Sequence, residues 1–192
     1  MPVTPRASKT MELTPRIATE RDADEIAALV NRAYRPTTVT SGWTHEAQLV
    51  AGERSAAVQV LSLFRPQSHV LVLCDGGAIA ACVHVQIDGP IAYIGMLATD
   101  PEVQAQGVGK QMLLFAEDYA TSHDQLTVFR MSVLSARTEL MAFYERRGYL
   151  RTGEVEAYPV HAGVGQPLVE GLLVETLVKS AAPRPRPQPK LK

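Results

Sequence analysis

The sequence is poor in the features that mark several large protein classes. Its 192 residues include only two cysteines, Cys74 and Cys82. Both fall on segments that read as neighbouring strands, so they are expected to be small, reduced core residues rather than a disulfide framework. Groups of four metal ligands at finger-like spacing are missing, and no metal is expected. With 19 basic and 20 acidic residues the formal net charge is −1, which argues against a broadly basic nucleic-acid-binding surface. No apolar run approaches the roughly 20 residues that a helical membrane span requires. The first residues, "MPVTPRASKTMEL", lack the apolar stretch of a secretion signal. The expectation is therefore a cytoplasmic protein with neither a nucleic-acid nor a membrane partner. What remains is ordinary globular composition and a length suited to one domain with a substantial core.

Apolar periodicity and turn residues order that domain. "LTPRIA" (13–18) reads as an edge strand, where Pro15 is tolerated. Ile26, Leu29, Val30 and Ala33 recur at helical spacing between Asp22 and Arg35. "HEAQLVAGERSAAVQVLSLF" (45–64) reads as one or two helices interrupted near Gly52. "HVLVLCD" and "AIAACVHVQI" flank Gly76-Gly77 as a hairpin, and "IAYIGMLAT" follows the turn at Asp88-Gly89-Pro90. Val108, Met112, Phe115 and Tyr119 mark a helix, "LTVFRMSVL" a strand, and residues 137 to 147 a further helix. Gly148 stands where a left-handed cap is needed. Two strands, in "YLRTGEVEAYPV" and "LVEGLLVETLVK", close a mixed α/β sheet. The expected boundaries are a flexible segment 1–11, a domain 12–179 and a disordered, proline-rich basic tail 180–192.

The stretch "DPEVQAQGVGKQ" (100–111) places Gly107 and Gly109 where a loop turns into a helix. A helix start carries unpaired N–H groups and partial positive charge, and it accepts phosphate when side chains do not block the approach. Gln106 can donate there, and Lys110 adds charge. A P-loop would need four residues between the glycines followed by Lys-Ser/Thr, and a dinucleotide fingerprint would need a third glycine where Met112 stands; neither pattern fits.

A wider match does. Gln104-Ala105-Gln106-Gly107-Val108-Gly109 resembles the Gln/Arg-x-x-Gly-x-Gly/Ala loop of the GCN5-related N-acetyltransferase (GNAT) superfamily. It follows "LATDPEV", where the family has a strand ending in a similar sequence. "TELMAFYERRGYLRTGE" resembles the family's second signature, Ala-x-x-x-Tyr-x-x-x-Gly-Phe/Tyr. The element order matches from about residue 12 to 178. The resemblance implies a GNAT-like fold: a central mixed, mostly antiparallel sheet of about six to seven strands flanked by about four helices.

It also implies a chemistry. Acetyl-CoA would be the acyl-donor cosubstrate, with its pyrophosphate on Gln104, Ala105, Gln106, Gly107, Val108, Gly109 and Lys110. The pantetheine arm would pair with Leu97, Ala98 and Thr99 much as an added strand does. Acyl transfer needs a neutral amine, a stabilised thioester oxygen and a protonated leaving sulfur. A main-chain N–H near Leu97 is implied for the oxygen, and Tyr144, whose phenol stays protonated at neutral pH, for the sulfur. Where many members carry an asparagine, this chain has Arg137, which can bind a phosphate bidentately. The general base is fixed by neither signature. His84 can face the acceptor cleft or serve as a structural histidine, and Glu46, in "GWTHE" beside Trp43, can touch substrate or only mark a helix start. Tyr158, Glu170, a water chain and, by a covalent route, Cys82 are further alternatives. The reading is thus an enzyme moving an acetyl group to a primary amine, mainly of a small molecule, by direct attack in a ternary complex. A peptide or protein acceptor and a non-catalytic acyl-CoA-binding regulatory module stay open, as does a homodimer.

Overall fold

The computed structural model describes residues 12–36, 45–123 and 125–181. Strand β1 (Leu13–Ile17) leads into helix α1 (Ala23–Tyr34), then a two-residue strand β2 (Val50–Ala51) and a short helix α2 (Ala57–Leu61). A meander of β3 (Ser68–Asp75), β4 (Ala78–Asp88) and β5 (Ile91–Thr99) precedes helix α3 (Val108–Thr121). Strand β6 (Val128–Leu134), helix α4 (Thr138–Glu145), and strands β7 (Leu150–Ala157), β8 (Gln166–Pro167) and β9 (Leu173–Ser180) complete the order. Seven strands form one sheet in the order β1-β3-β4-β5-β6-β9-β7, while β2 and β8 make a small separate ribbon. Among the described residues only β5 and β6 run parallel. The mixed, mostly antiparallel sheet flanked by four helices agrees with the expected architecture.

The alternation of side chains along the meander explains its two covered faces. Leu71, Leu73, Ala81, Val83, Val85, Ala92 and Ile94 pack on one face against Met112, Leu113 and Ala116 of α3 and Phe143 and Tyr144 of α4. Val70, Val72, Cys74 and Cys82 pack on the other against Ile26, Leu29 and Val30 of α1 and Val60 of α2. Simple alternation puts Ile79 with Ala81, but the β3–β4 register slips between Leu73 and Cys74 and carries Ile79 to the α1 side. Each large apolar side chain buried in this way contributes roughly 1.5–3 kcal/mol. Cys74 and Cys82 are buried free thiols, and burial pushes the Cys82 thiol up to about 12. No helix among the described residues is long and apolar enough to cross a membrane.

The segment expected to be helical from residue 45 departs most. Only Ala57–Leu61 is α-helical; residues 47 to 49 form a turn and Val50 enters the β2–β8 ribbon. Gly52 takes φ +84°, which ends any helix there, and Val50 is buried with Leu134 and Leu172 instead. The Asn31 side chain accepts the Arg54 and Ser55 N–H groups at 2.7 and 3.1 Å, tying this loop to α1. The expected segment 1–11, most of the 180–192 tail and Trp43 lie outside the described residues.

Candidate active site

The parallel pair β5–β6 is short. Its ladder runs from Ile91–Val128 to Tyr93–Arg130 and stops, although β5 continues to Thr99 and β6 to Leu134. The strands therefore part and open a wedge in the sheet. On the other edge of β5, Cys82 pairs with Ala98 and His84 with Gly95, so Met96 and Leu97 together oppose Val83. Met96 adopts φ +50° at this bulge. Such bulges re-aim backbone groups beside sites, and the Leu97 carbonyl is held here by the Tyr34 hydroxyl, which donates to it at 3.0 Å.

A cavity of about 230 Å³, the loop cleft, lies on one side of the wedge, lined by Leu97, Thr99, Gln104, Ala105, Gly107, Gly109, Lys110 and Arg137 together with Leu140, Phe143 and Arg147. Ala105 and Gly107 take φ +64° and +82°, turning the loop sharply into α3. The first intrahelical bond runs from Gln111 N–H to Gly107 O at 3.0 Å, so the preceding N–H groups have no partner within the helix. The two glycines have different reasons. At Gly107 a Cβ would meet nothing, but the left-handed backbone favours glycine; at Gly109 a Cβ would sit 3.3 Å from Thr99 Oγ1. Gln104 Nε2 donates to Thr99 O at 3.1 Å, joining loop to strand end. Of the other residues expected around a cofactor, Ala98 and Val108 are buried in the core and Gln106 is exposed and off the lining. Their side chains add nothing to the cleft.

A larger cavity of about 690 Å³, the strand cleft, lies on the other side, and its lining includes Glu46, Arg54, His84, Tyr144 and Tyr158. Tyr34, Leu97, Arg137 and Leu140 line both cavities, so the two meet at the wedge. Tyr144 is 6% exposed; burial raises its phenol above the ordinary 10, and Tyr149 packs edge-on at 5.8 Å. Glu46 is buried inside a set of arginines. It pairs with Arg35, and its oxygens lie 3.7 Å from Arg137 Nη1 and 4.0 Å from Arg54 Nε. The expected helix-start carboxylate is thus a buried counter-charge: Tyr34, at the end of α1, accepts the Glu46 N–H at 2.9 Å.

His84 stands on the wall of the strand cleft, 2.8 Å from Ser68 Oγ through Nε2. Ser68 Oγ already donates to Leu63 O at 2.6 Å, so it accepts from His84 Nε2–H and leaves Nδ1 as the basic nitrogen. Burial first, then the charges of Arg65 and His69, push the imidazole down to about 4. Tyr158 donates to Val164 O at 2.8 Å. Glu170 does not line the strand cleft but a shallower hollow at residues 157, 158 and 167–173, which shares Ala157 and Tyr158 with it. Cys82 is fully buried and lines neither cleft.

The model of the acetyltransferase (GNAT) family matches residues 24–149, which takes in both clefts' shared residues and the loop. The chain belongs to this family. As a GNAT protein it is an acetyl-CoA-dependent N-acetyltransferase by class. Its sequence is 29% identical over 163 residues to the S-(2-succino)cysteine N-acetyltransferase of Bacillus subtilis, covering 78% of this chain and 91% of that one. Its fold superposes on the ribosomal-protein-S18-alanine N-acetyltransferase of Escherichia coli with a TM-score of 0.68 at 16% identity, covering 94% of this chain and 99% of the other. A putative acetyltransferase of Salmonella typhimurium, solved with its cofactor acetyl-CoA, gives 0.64 at 16% identity, covering 92% and 98%. Tyr34, Arg35, Arg54 and Arg147 are site-lining or site-bracing residues that the sequence reading passed over. Tyr34, Arg35 and Arg54 belong to no GNAT signature and Arg147 falls on a variable position of the second, so each alone reads as a helix-end or surface residue.

Proposed function

We propose that this GNAT chain binds acetyl-CoA in the loop cleft and transfers its acetyl group to the primary amine of a small molecule in the strand cleft, by direct attack in a ternary complex. The observation that carries this reading is the meeting of the two clefts where β5 and β6 part, at Tyr34, Leu97, Arg137 and Leu140. Acetyl-CoA fits the residues present: a loop of unblocked N–H groups faces its pyrophosphate, and Lys110 and Arg147 line the same cleft. When bound, it supplies the activated thioester.

The chain's own residues do the rest. The strand end Leu97–Thr99, unpaired on its β6 side, orients the pantetheine arm by main-chain hydrogen bonds. The bulge at Met96–Leu97 aims backbone at the carbonyl oxygen, with Tyr34 holding the Leu97 carbonyl in place. Tyr144 keeps its proton at Oη for the departing sulfur. Burial makes this phenol a weaker acid, but the same dry surroundings raise the basicity of the thiolate it meets. His84, held near pKa 4, is too weak a base to draw a proton from an ammonium ion. The amine therefore enters neutral or loses its proton to water. A small-molecule acceptor follows the Bacillus subtilis relative, whose own substrate is S-(2-succino)cysteine by name.

The test is CoA release from acetyl-CoA with S-(2-succino)cysteine, other free amines and N-terminal peptides. Turnover of free amines, with Tyr144→Phe losing about 100-fold or more in kcat at unchanged acetyl-CoA affinity, is the expected result. Peptide turnover alone would move the acceptor to proteins. Tight acetyl-CoA binding with no turnover would make the chain a sensor.

A further inference from the structure

The electrostatics of the strand cleft narrow the acceptor. Resting on the catalytic reading above, we infer that this enzyme selects amines that carry a carboxylate, and that Arg54 is the side chain that recognises it. Three guanidinium groups, Arg35, Arg54 and Arg137, surround the single carboxylate of Glu46. Counted together they leave two positive charges, and they are sheltered from solvent: the side chains of Arg35 and Arg137 are 8% and 9% exposed, that of Arg54 24%. Arg35 Nε is buried without a hydrogen-bond partner among the described residues. Two other acids on the cleft wall, Asp88 and Glu156, are exposed and screened by water. Arg130 is offset by Glu154 at 2.6 Å. The inner end of the cleft is therefore cationic.

That cationic end sits at the reacting position. Arg54 Cζ lies 5.2 Å and Arg137 Cζ 6.0 Å from the ring centroid of Tyr34, whose hydroxyl holds Leu97. One tyrosine ring thus separates the guanidinium groups from the backbone that faces the thioester, a span suited to an amine with a carboxylate one carbon away. Arg137 lines both clefts, and Lys110 and Arg147 serve the loop side; Arg54 lines the strand cleft only. Its one ion pair among the described residues is the 4.0 Å contact with Glu46, which leaves a planar fork able to bind a carboxylate bidentately. The same charge favours the neutral form of a nearby amine and repels polycations.

The experiment compares L-glutamate, L-norvaline, L-norvalinamide and spermidine as acceptors at saturating acetyl-CoA, for the natural chain, Arg54→Gln and Arg54→Lys. Norvaline should exceed norvalinamide in kcat/KM by about 30-fold, the worth of one charge-assisted pair. Arg54→Gln should erase that ratio through KM rather than kcat, with acetyl-CoA affinity unchanged, and Arg54→Lys should restore part of it. Norvalinamide or spermidine turning over as well as norvaline would overturn the inference and leave the catalytic reading intact. Failure of every amine would overturn the catalytic reading instead. In that case calorimetry of norvaline with the CoA-loaded protein decides: binding lost in Arg54→Gln supports the carboxylate site, and no binding removes it.

Discussion

Along residues 104–110 the loop cleft is built from main chain: two left-handed turns, a helix start and a glycine that lets α3 approach Thr99. On the other side of Leu97 the strand cleft is built from side chains drawn from α1, the 45–56 loop, β4, β6, α4 and β7. The first needs particular residues only where a side chain would be in the way. The second depends on charges that neutralise one another across long sequence separations. Backbone geometry leaves a local imprint in sequence, whereas charge compensation leaves none until the chain is folded.

The sharpest way to break this contrast is to give the loop side chains. Replacing Gly107 and Gly109 with valine should weaken acetyl-CoA binding about 1000-fold, roughly 4 kcal/mol, as two charge-assisted main-chain contacts are lost. Calorimetry would show it, with circular dichroism confirming that the sheet persists. Unchanged affinity would mean that the cofactor is not held by this loop.

On the strand side the corresponding cut is Glu46→Gln. It removes the one carboxylate among Arg35, Arg54 and Arg137, leaving buried cations facing each other. Loss of about 3 kcal/mol in urea unfolding is expected. If stability hardly changes, the cluster is better solvated than its burial indicates, and the charge argument for the acceptor weakens with it.

These two cuts also show what was legible beforehand. The hairpin turn at Gly76-Gly77, the α1 stripe and the cap at Gly148 obey local rules, and each is where the turn residues or periodicity placed it. Of the one or two helices expected over residues 45–64 with a break near Gly52, the break and the later helix are present; the part before the break is not helical because Val50 gains more by packing on Leu134 and Leu172 than a short helix offers. Tyr34 and Arg54 belong to no motif: they meet only in the fold, where the Arg54 guanidinium lies over the Tyr34 ring and the Asn31 side chain accepts the Arg54 N–H. Arg137 stands where many family members carry an asparagine, but its partner Glu46 lies 91 positions away. Nothing in the local sequence links them.

An effect of similar size comes from His84, which lines the same cleft. With its imidazole held near pKa 4, against an ordinary value of about 6.5, the unfolded chain takes up the proton first as pH falls. The stability this residue contributes is complete above about pH 6.5 and is lost on the way down to pH 4, by about 3 kcal/mol. His84→Gln should flatten unfolding free energy across that window. It should also leave any inflection of kcat/KM between pH 6 and 8 in place, because His84 does not titrate there. An inflection abolished by the mutation would restore His84 as the general base.

The smallest test returns to the loop. Ala105 sits at φ +64°, a conformation that is strained for a side-chain-bearing residue. Ala105→Gly should therefore stabilise the fold by a little under 1 kcal/mol, since relief of strain slightly exceeds the extra entropy of an unfolded glycine. Acetyl-CoA affinity should not improve with it, because Ala105 already holds the turn that the cofactor meets and glycine would only loosen it before binding. A gain in both stability and affinity would show that the loop is strained away from its binding shape, so that backbone geometry alone would no longer account for this half of the site.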